Sequence, residues 1–175
     1  QPVDHGALAA LVEAMLEADV DGLVVLGLAS EAWTLHDRER EAIVETVARS
    51  VQGRRPLTVG IDGTTTLAVA RARVAASVGA NGLMILPPPS ARTSESLLAH
   101  YASIADTVGL PILVQDSPQV TGVSLTVDTL VALAAHPLVR SLKSEVPGAG
   151  GKVSAAHAAG IEVVAGWGGL AYPDS

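Results

Sequence analysis

The sequence predicts an α/β fold of repeated parallel β/α units, a (β/α)8 barrel present in part, and three observations carry that prediction. Short apolar runs ending in Gly, Pro or a polar residue alternate with amphipathic helical segments along all 175 residues. The runs start roughly 22 to 35 residues apart, the length of one strand plus one crossover helix. They are continuously apolar rather than alternating, as expected of strands buried on both faces of a parallel sheet.

The expected strands are residues 22–26, 57–60, 83–86, 112–114, 139–142 and 162–165. The helices between them have recognisable stripes and stops. Leu8, Leu11, Val12, Met15 and Leu16 follow an i, i+3, i+4, i+7, i+8 pattern behind Asp4, an N-cap residue type. Thr34-Leu35-His36-Asp37 opens a second helix whose buried face holds Ile43, Val44, Val47 and Val51. The third covers about residues 64–78, with Gly79 just beyond its end. Leu97, Leu98, Tyr101, Ile104 and Val108 form the fourth stripe, stopped by Gly109. Thr126 caps a short fifth helix that ends before Pro137, and residues 155–159 complete a weak sixth. No linker divides the chain, so residues 1–175 are expected to form one domain.

Repeated β/α units also suit an open dinucleotide-binding sheet, which needs a G-x-G-x-x-G turn. Gly27-Leu28-Ala29-Ser30-Glu31 offers one glycine where three are required. The barrel is the better match. Closure needs eight strands, so an initial strand, a final strand and C-terminal helices are expected to lie outside this sequence.

Composition narrows the partners. Hydrophobic residues make up 49% and charged residues 17% of the chain, which marks a globular protein. It carries 11 Lys+Arg against 18 Asp+Glu, net −7, with no basic run to track phosphates, so nucleic acid is excluded as a partner. The longest apolar runs are about six residues against the roughly 20 of a membrane helix, so no membrane partner is expected. The absence of cysteine rules out disulfides and thiolate chemistry, and fits a reducing cytoplasm. Phe is absent too, so the core is expected to be aliphatic.

In a β/α barrel the site lies at the C-terminal strand ends. Lys143 stands at such an end, on one face with Val139 and Ser141, while Leu142 points the other way. With Leu142 toward the helices, Lys143 points into the barrel mouth. Loss of solvation there disfavours its charged form, and a neutral amine attacks carbonyls. Asp116 and Glu145 follow consecutive strands and are open to three readings: an acid/base pair, a divalent metal site, or helix caps and loop anchors. The five histidines are scattered without metal-ligand spacing and are expected at the surface. Trp33 and Trp167 fall at strand-end loops, and Pro87-Pro88-Pro89 forms a stiff loop.

At these positions the sequence resembles the dihydrodipicolinate synthase / N-acetylneuraminate lyase family of class I aldolases. Gly27-Leu28-Ala29-Ser30-Glu31 sits where that family has Gly-Thr-Thr-Gly-Glu, followed by matching Thr34-Leu35 and Glu39-Arg40. Pro111-Ile112-Leu113-Val114-Gln115-Asp116-Ser117-Pro118 sits where it has an apolar strand ending Tyr-Asn-x-Pro, followed by Thr121-Gly122. Lys143 falls on the Schiff-base lysine, and Gly166-Trp167-Gly168-Gly169 on the next strand end. The resemblance also implies departures. Gln115 stands at the catalytic tyrosine, Leu28 and Ala29 at two threonines, Pro89 near a second active-site tyrosine, and Val120 at an arginine. Gln115 hydrogen-bonds but cannot carry a proton as a general acid or base.

The resulting expectation is a Schiff-base lyase, aldolase or dehydratase acting on a small, pyruvate-like 2-oxo acid. Lys143 is its catalytic residue. Leu28 and Ala29, through backbone amides, together with Gln115 and Gly166, contact the substrate. Asp116 or Glu145 is available to replace the missing hydroxyl relay. No metal or organic cofactor is expected. The resemblance implies a homo-oligomer, tetramer or dimer. Slow synthesis of dihydrodipicolinate, from pyruvate and an aspartate-derived semialdehyde, follows from the lost tyrosine. The alternative is a catalytically idle member that binds a metabolite or serves as a subunit.

Overall fold

A computed structural model describes residues 2–166. Six parallel strands form one curled sheet in the order of the chain: β1 (Leu23–Val25), β2 (Leu57–Ile61), β3 (Gly82–Ile85), β4 (Ile112–Asp116), β5 (Val139–Ser144) and β6 (Glu162–Ala165). Among the described residues, β1 and β6 are its two edges. The helices are α1 (His5–Glu17), α2 (Asp37–Val51), α3 (Thr65–Ser77), α4 (Ser94–Val108), α5 (Pro118–Thr121), α6 (Val127–Ala134) and α7 (Gly150–Ala158). Two 3-10 turns, Leu28–Ser30 and Ala32–Thr34, fill the segment between β1 and α2.

Local chemistry fixes the helix ends. The Asp4 carboxylate accepts the Ala7 N–H at 2.9 Å, and the Thr126 hydroxyl accepts that of Thr129 at 3.2 Å. Glu39 reaches back to accept the His36 N–H at 2.9 Å, so α2 begins at Asp37 rather than at Thr34. Gly109 closes α4 in the left-handed region.

The ladder register sorts the side chains onto two faces. Val59, Leu83, Ile112, Val114 and Leu142 point outward and pack under the helices, all almost wholly buried. Ala68, Ala72 and Ala75 of α3 are fully buried, so α3 packs close through small side chains. Among the described residues, apart from Tyr101, every buried large hydrophobic side chain is aliphatic or methionine. The inner face runs through Val24, Thr58, Gly60, Met84, Gln115, Lys143 and Val164. At its edges Val24 and Val164 are 54% and 49% exposed. Gly60 is required there, because a Cβ on it would stand 2.1 Å from the Leu26 carbonyl oxygen.

One strand-face assignment needs correction. Ile112 pairs with Val139, but the next residue, Leu113, pairs with Ser141, leaving Arg140 as a bulge. Val139 therefore faces the helices with Ile112, whereas Ser141 and Lys143 face inward with Leu113 and Gln115. Of Val139, Ser141 and Lys143, only the last two share a face.

Candidate active site

The C-terminal strand ends carry the chemistry. Gln115 and Lys143 are register partners across β4 and β5, so both side chains rise from the inner face. Lys143 is one-quarter exposed, and its Nζ lies 3.0 Å from Glu145 Oε1. Glu145 Oε2 accepts the Gln115 Nε2–H at 2.9 Å. Gln115 and the Glu145 side chain are 1% and 5% exposed. The three residues thus form one chain, lysine to carboxylate to amide. Two contacts hold Glu145 in place. Its N–H donates to the Asp116 carbonyl at 3.0 Å, and its carbonyl accepts Gln119 Nε2–H at 3.0 Å. Gly166 gives its side chain room, since a Cβ on Gly166 would sit 2.2 Å from Glu145 Cγ.

Asp116 is on the other face. It is fully buried behind the sheet, and its Oδ2 takes Lys152 Nζ of α7 at 2.7 Å. The two carboxylates considered together from sequence therefore have separate surroundings, one in the barrel mouth and one under a helix. Among the described residues no cluster of three or more His, Asp or Glu is arranged to hold a metal ion.

The segment after β1 forms the other wall. Leu26 and Glu31 both adopt left-handed backbone conformations, at φ 59° and 51°, uncommon for such side chains. Between them Leu28 and Ala29 open a 3-10 turn, whose first N–H groups have no acceptor within the turn. Leu28, Trp33, Asp62, Met84 and Gln115 line one cleft. Ala29, next in the chain to Leu28, is exposed. Buried Arg40 ties this wall down, donating to the Ala32 carbonyl at 2.7 Å and to Asp62 Oδ1 at 2.7 Å. Arg71 adds ion pairs to Asp62 and Asp37. The Glu31 side chain is exposed, and its turn is closed instead by the Thr34 hydroxyl on the Glu31 carbonyl at 2.8 Å.

Two residues depart from their expected environment. His100 is buried, not at the surface. Its Nδ1 lies 2.9 Å from Thr65 Oγ1, and burial pushes its pKa down to about 4. Tyr101, one of two tyrosines in the chain, lies behind β3 and donates to the Ile85 carbonyl at 3.2 Å. Burial, helped by the negative charge of Asp116, pushes its pKa far up. It is no substitute for a tyrosine in the mouth. Trp167 and the other tyrosine lie outside the described residues. Lys152 and Gln119, which hold Asp116 and Glu145, had no signal in the sequence; both lie in helical turns outside the expected helices.

Residues 1–158 match the family described as Dihydrodipicolinate synthetase family. The chain belongs to that family. It is 36% identical over 143 residues to a 4-hydroxy-tetrahydrodipicolinate synthase of Exiguobacterium sibiricum, covering 81% of this chain and 49% of the relative. It is 38% identical over 143 residues to the same-named protein of Phenylobacterium zucineum, again with 81% and 49% covered. Among solved structures, the chloride-inhibited dihydrodipicolinate synthase of Acinetobacter baumannii, complexed with pyruvate, superimposes with TM-score 0.89 at 29% identity, over 98% of this chain and 60% of that one. The Aquifex aeolicus dihydrodipicolinate synthase gives TM-score 0.92 at 28% identity, over 98% and 60%. This chain therefore spans about half the length of the curated relatives it matches, and its six strands correspond to part of their (β/α)8 barrel. Among the described residues no helix is long and apolar enough to cross a membrane.

Proposed function

We propose that this chain is the lysine-bearing portion of a Schiff-base lyase acting on a small 2-oxo acid such as pyruvate. The observation that carries the proposal is Lys143, an amine on the inner face of the sheet, partly exposed at a C-terminal strand end and 3.0 Å from a carboxylate. Lys143 attacks the keto carbon and forms an iminium. The iminium draws electrons from the adjacent bond, which promotes C–C cleavage, C–C formation or loss of water. The amides of Leu28 and Ala29 hold the substrate carboxylate, a role independent of their side chains. Gln115 orients the substrate or a water, and Gly166 leaves space beside it. Support comes from the family membership and from the relative solved with pyruvate.

The test is reductive trapping. Borohydride in the presence of a panel of 2-oxo acids should fix a covalent adduct on the parent protein, read by intact mass, and peptide mapping should place it on Lys143. A parent protein that yields no adduct with any 2-oxo acid removes the proposal and leaves a metabolite-binding or subunit role.

A further inference from the structure

We infer that Glu145 is the proton carrier of this site, the group that moves protons between Lys143, the substrate carbonyl and the substrate carbon. The inference rests on the Schiff-base reading and adds a catalytic residue to it.

Schiff-base chemistry needs a carrier within hydrogen-bond reach of the amine, at about 2.6–3.2 Å. Glu145 Oε1 lies 3.0 Å from Lys143 Nζ. Among the described residues it is the titratable side chain that contacts that atom. Gln115 is adjacent, but an amide holds its protons throughout the physiological range. Asp116 faces the helices and is bound to Lys152. Tyr101 is behind β3. The candidates are thereby reduced to one.

The surroundings suit the task. The second oxygen of Glu145 is anchored by the Gln115 N–H, which leaves the first oxygen aimed at the amine. The missing side chain of Gly166 is what lets the carboxylate occupy this position. A carboxylate merely neutralising a lysine would not require burial at 5% exposure against an amide that fixes its rotation.

The steps balance. The Lys143 ammonium passes a proton to Glu145, and the freed amine adds to the keto carbon. The carbonyl π pair moves to oxygen, which takes the proton from Glu145 and gives the carbinolamine. A second nitrogen proton follows the same route as the C–O bond breaks, and water leaves. Two of the three ammonium protons thus end on that water, the nitrogen retains one as the iminium, and Glu145 is again ionised. The carboxylate then takes a proton from the carbon next to the iminium. The C–H pair becomes the new C=C bond, the C=N π pair moves to nitrogen, and the enamine results.

The experiment uses pyruvate in deuterated buffer and separates adduct formation from proton transfer. The parent protein should trap pyruvate with borohydride and exchange pyruvate methyl hydrogens for deuterium, followed by proton NMR. Glu145→Gln keeps the shape and the Gln115 contact. It should still reach full trapping when given time, while its exchange rate falls by about 10²- to 10⁴-fold, the range for losing a general acid–base. Exchange within about threefold of the parent, far short of that range, would overturn the inference while leaving the Schiff base intact. A folded Glu145→Gln protein, by circular dichroism, that traps no pyruvate at equilibrium overturns it as well, because Glu145 would then only position the lysine. A parent that traps nothing defeats the underlying Schiff-base reading, a distinct result.

Discussion

Two lysine–carboxylate pairs stand back to back at the ends of β4 and β5. On the inner face Lys143 meets Glu145 at 3.0 Å, and behind the sheet Lys152 meets Asp116 at 2.7 Å. The chemistry is the same and the surroundings are opposite. The inner lysine is 25% exposed and its carboxylate is held by an amide. The outer carboxylate is 0% exposed, its lysine 14%, and α7 covers it. A buried ion pair does little net stabilising work but is costly to break, since the surviving charge has nowhere to go. The inner lysine is the more exposed of the two. The comparison separates a pair suited to reaction from one suited to anchoring a helix.

The largest expected effect is chemical. Lys143→Met should abolish borohydride trapping of 2-oxo acids, while its unfolding midpoint shifts less than that of Lys152→Met. Trapping retained in this variant would move the amine elsewhere. The outer pair should show the reverse. Lys152→Met leaves Asp116 buried and uncompensated and should cost about 3–5 kcal/mol in denaturant unfolding. Adding Asp116→Asn should recover most of that loss. Activity of the double variant close to the parent's would complete the contrast.

The outer layer also carries an acid sensitivity. His100 is neutral when folded, with a pKa of about 4 against an ordinary value near 6.5. Between those two values the unfolded chain binds a proton that the folded chain excludes. Its contribution is therefore constant above about pH 6.5, falls as pH drops toward 4, and amounts to roughly 3 kcal/mol across that window. His100→Leu should flatten this part of the stability profile relative to the parent. The smallest effect concerns substrate scope. Coupling of pyruvate to the aspartate-derived semialdehyde should run below about 10 per second, an ordinary enzyme turnover, and Gln115→Tyr should raise it. An ordinary rate in the parent would show that the amide chain at Gln115 suffices.

All six strands were legible as apolar runs, but the C-terminal ends of β4 and β5 were not. Gln115, Asp116, Lys143 and Ser144 are polar and fall beyond the expected strands 112–114 and 139–142, yet they extend β4 and β5 by pairing with one another, Gln115 with Lys143 and Asp116 with Ser144. The site stands on this extension. The 3-10 turns after β1 and the burial of His100 escaped notice because tertiary contacts, not local periodicity, set them. Sequence also left Asp116 and Glu145 equivalent. Strand alternation sends Asp116 away from Gln115 to the helix side. Glu145 lies past the last β5 residue, where alternation no longer predicts direction, and Gly166, just past the end of β6, decides it by leaving space.

The bulge at Arg140 governs the reactive end of β5 from three residues upstream. It acts as a phase setting: one residue without a partner reverses the parity of everything after it. Deleting Arg140 alone would remove the bulge without moving the ladder: Ser141 would still oppose Leu113, and Lys143 would still face inward beside Gln115. One further residue paired into the strand between Ser141 and Lys143 would instead turn the lysine toward the helices. The reactive end of β5 thus tolerates the loss of its one unpaired residue and not the gain of a paired one.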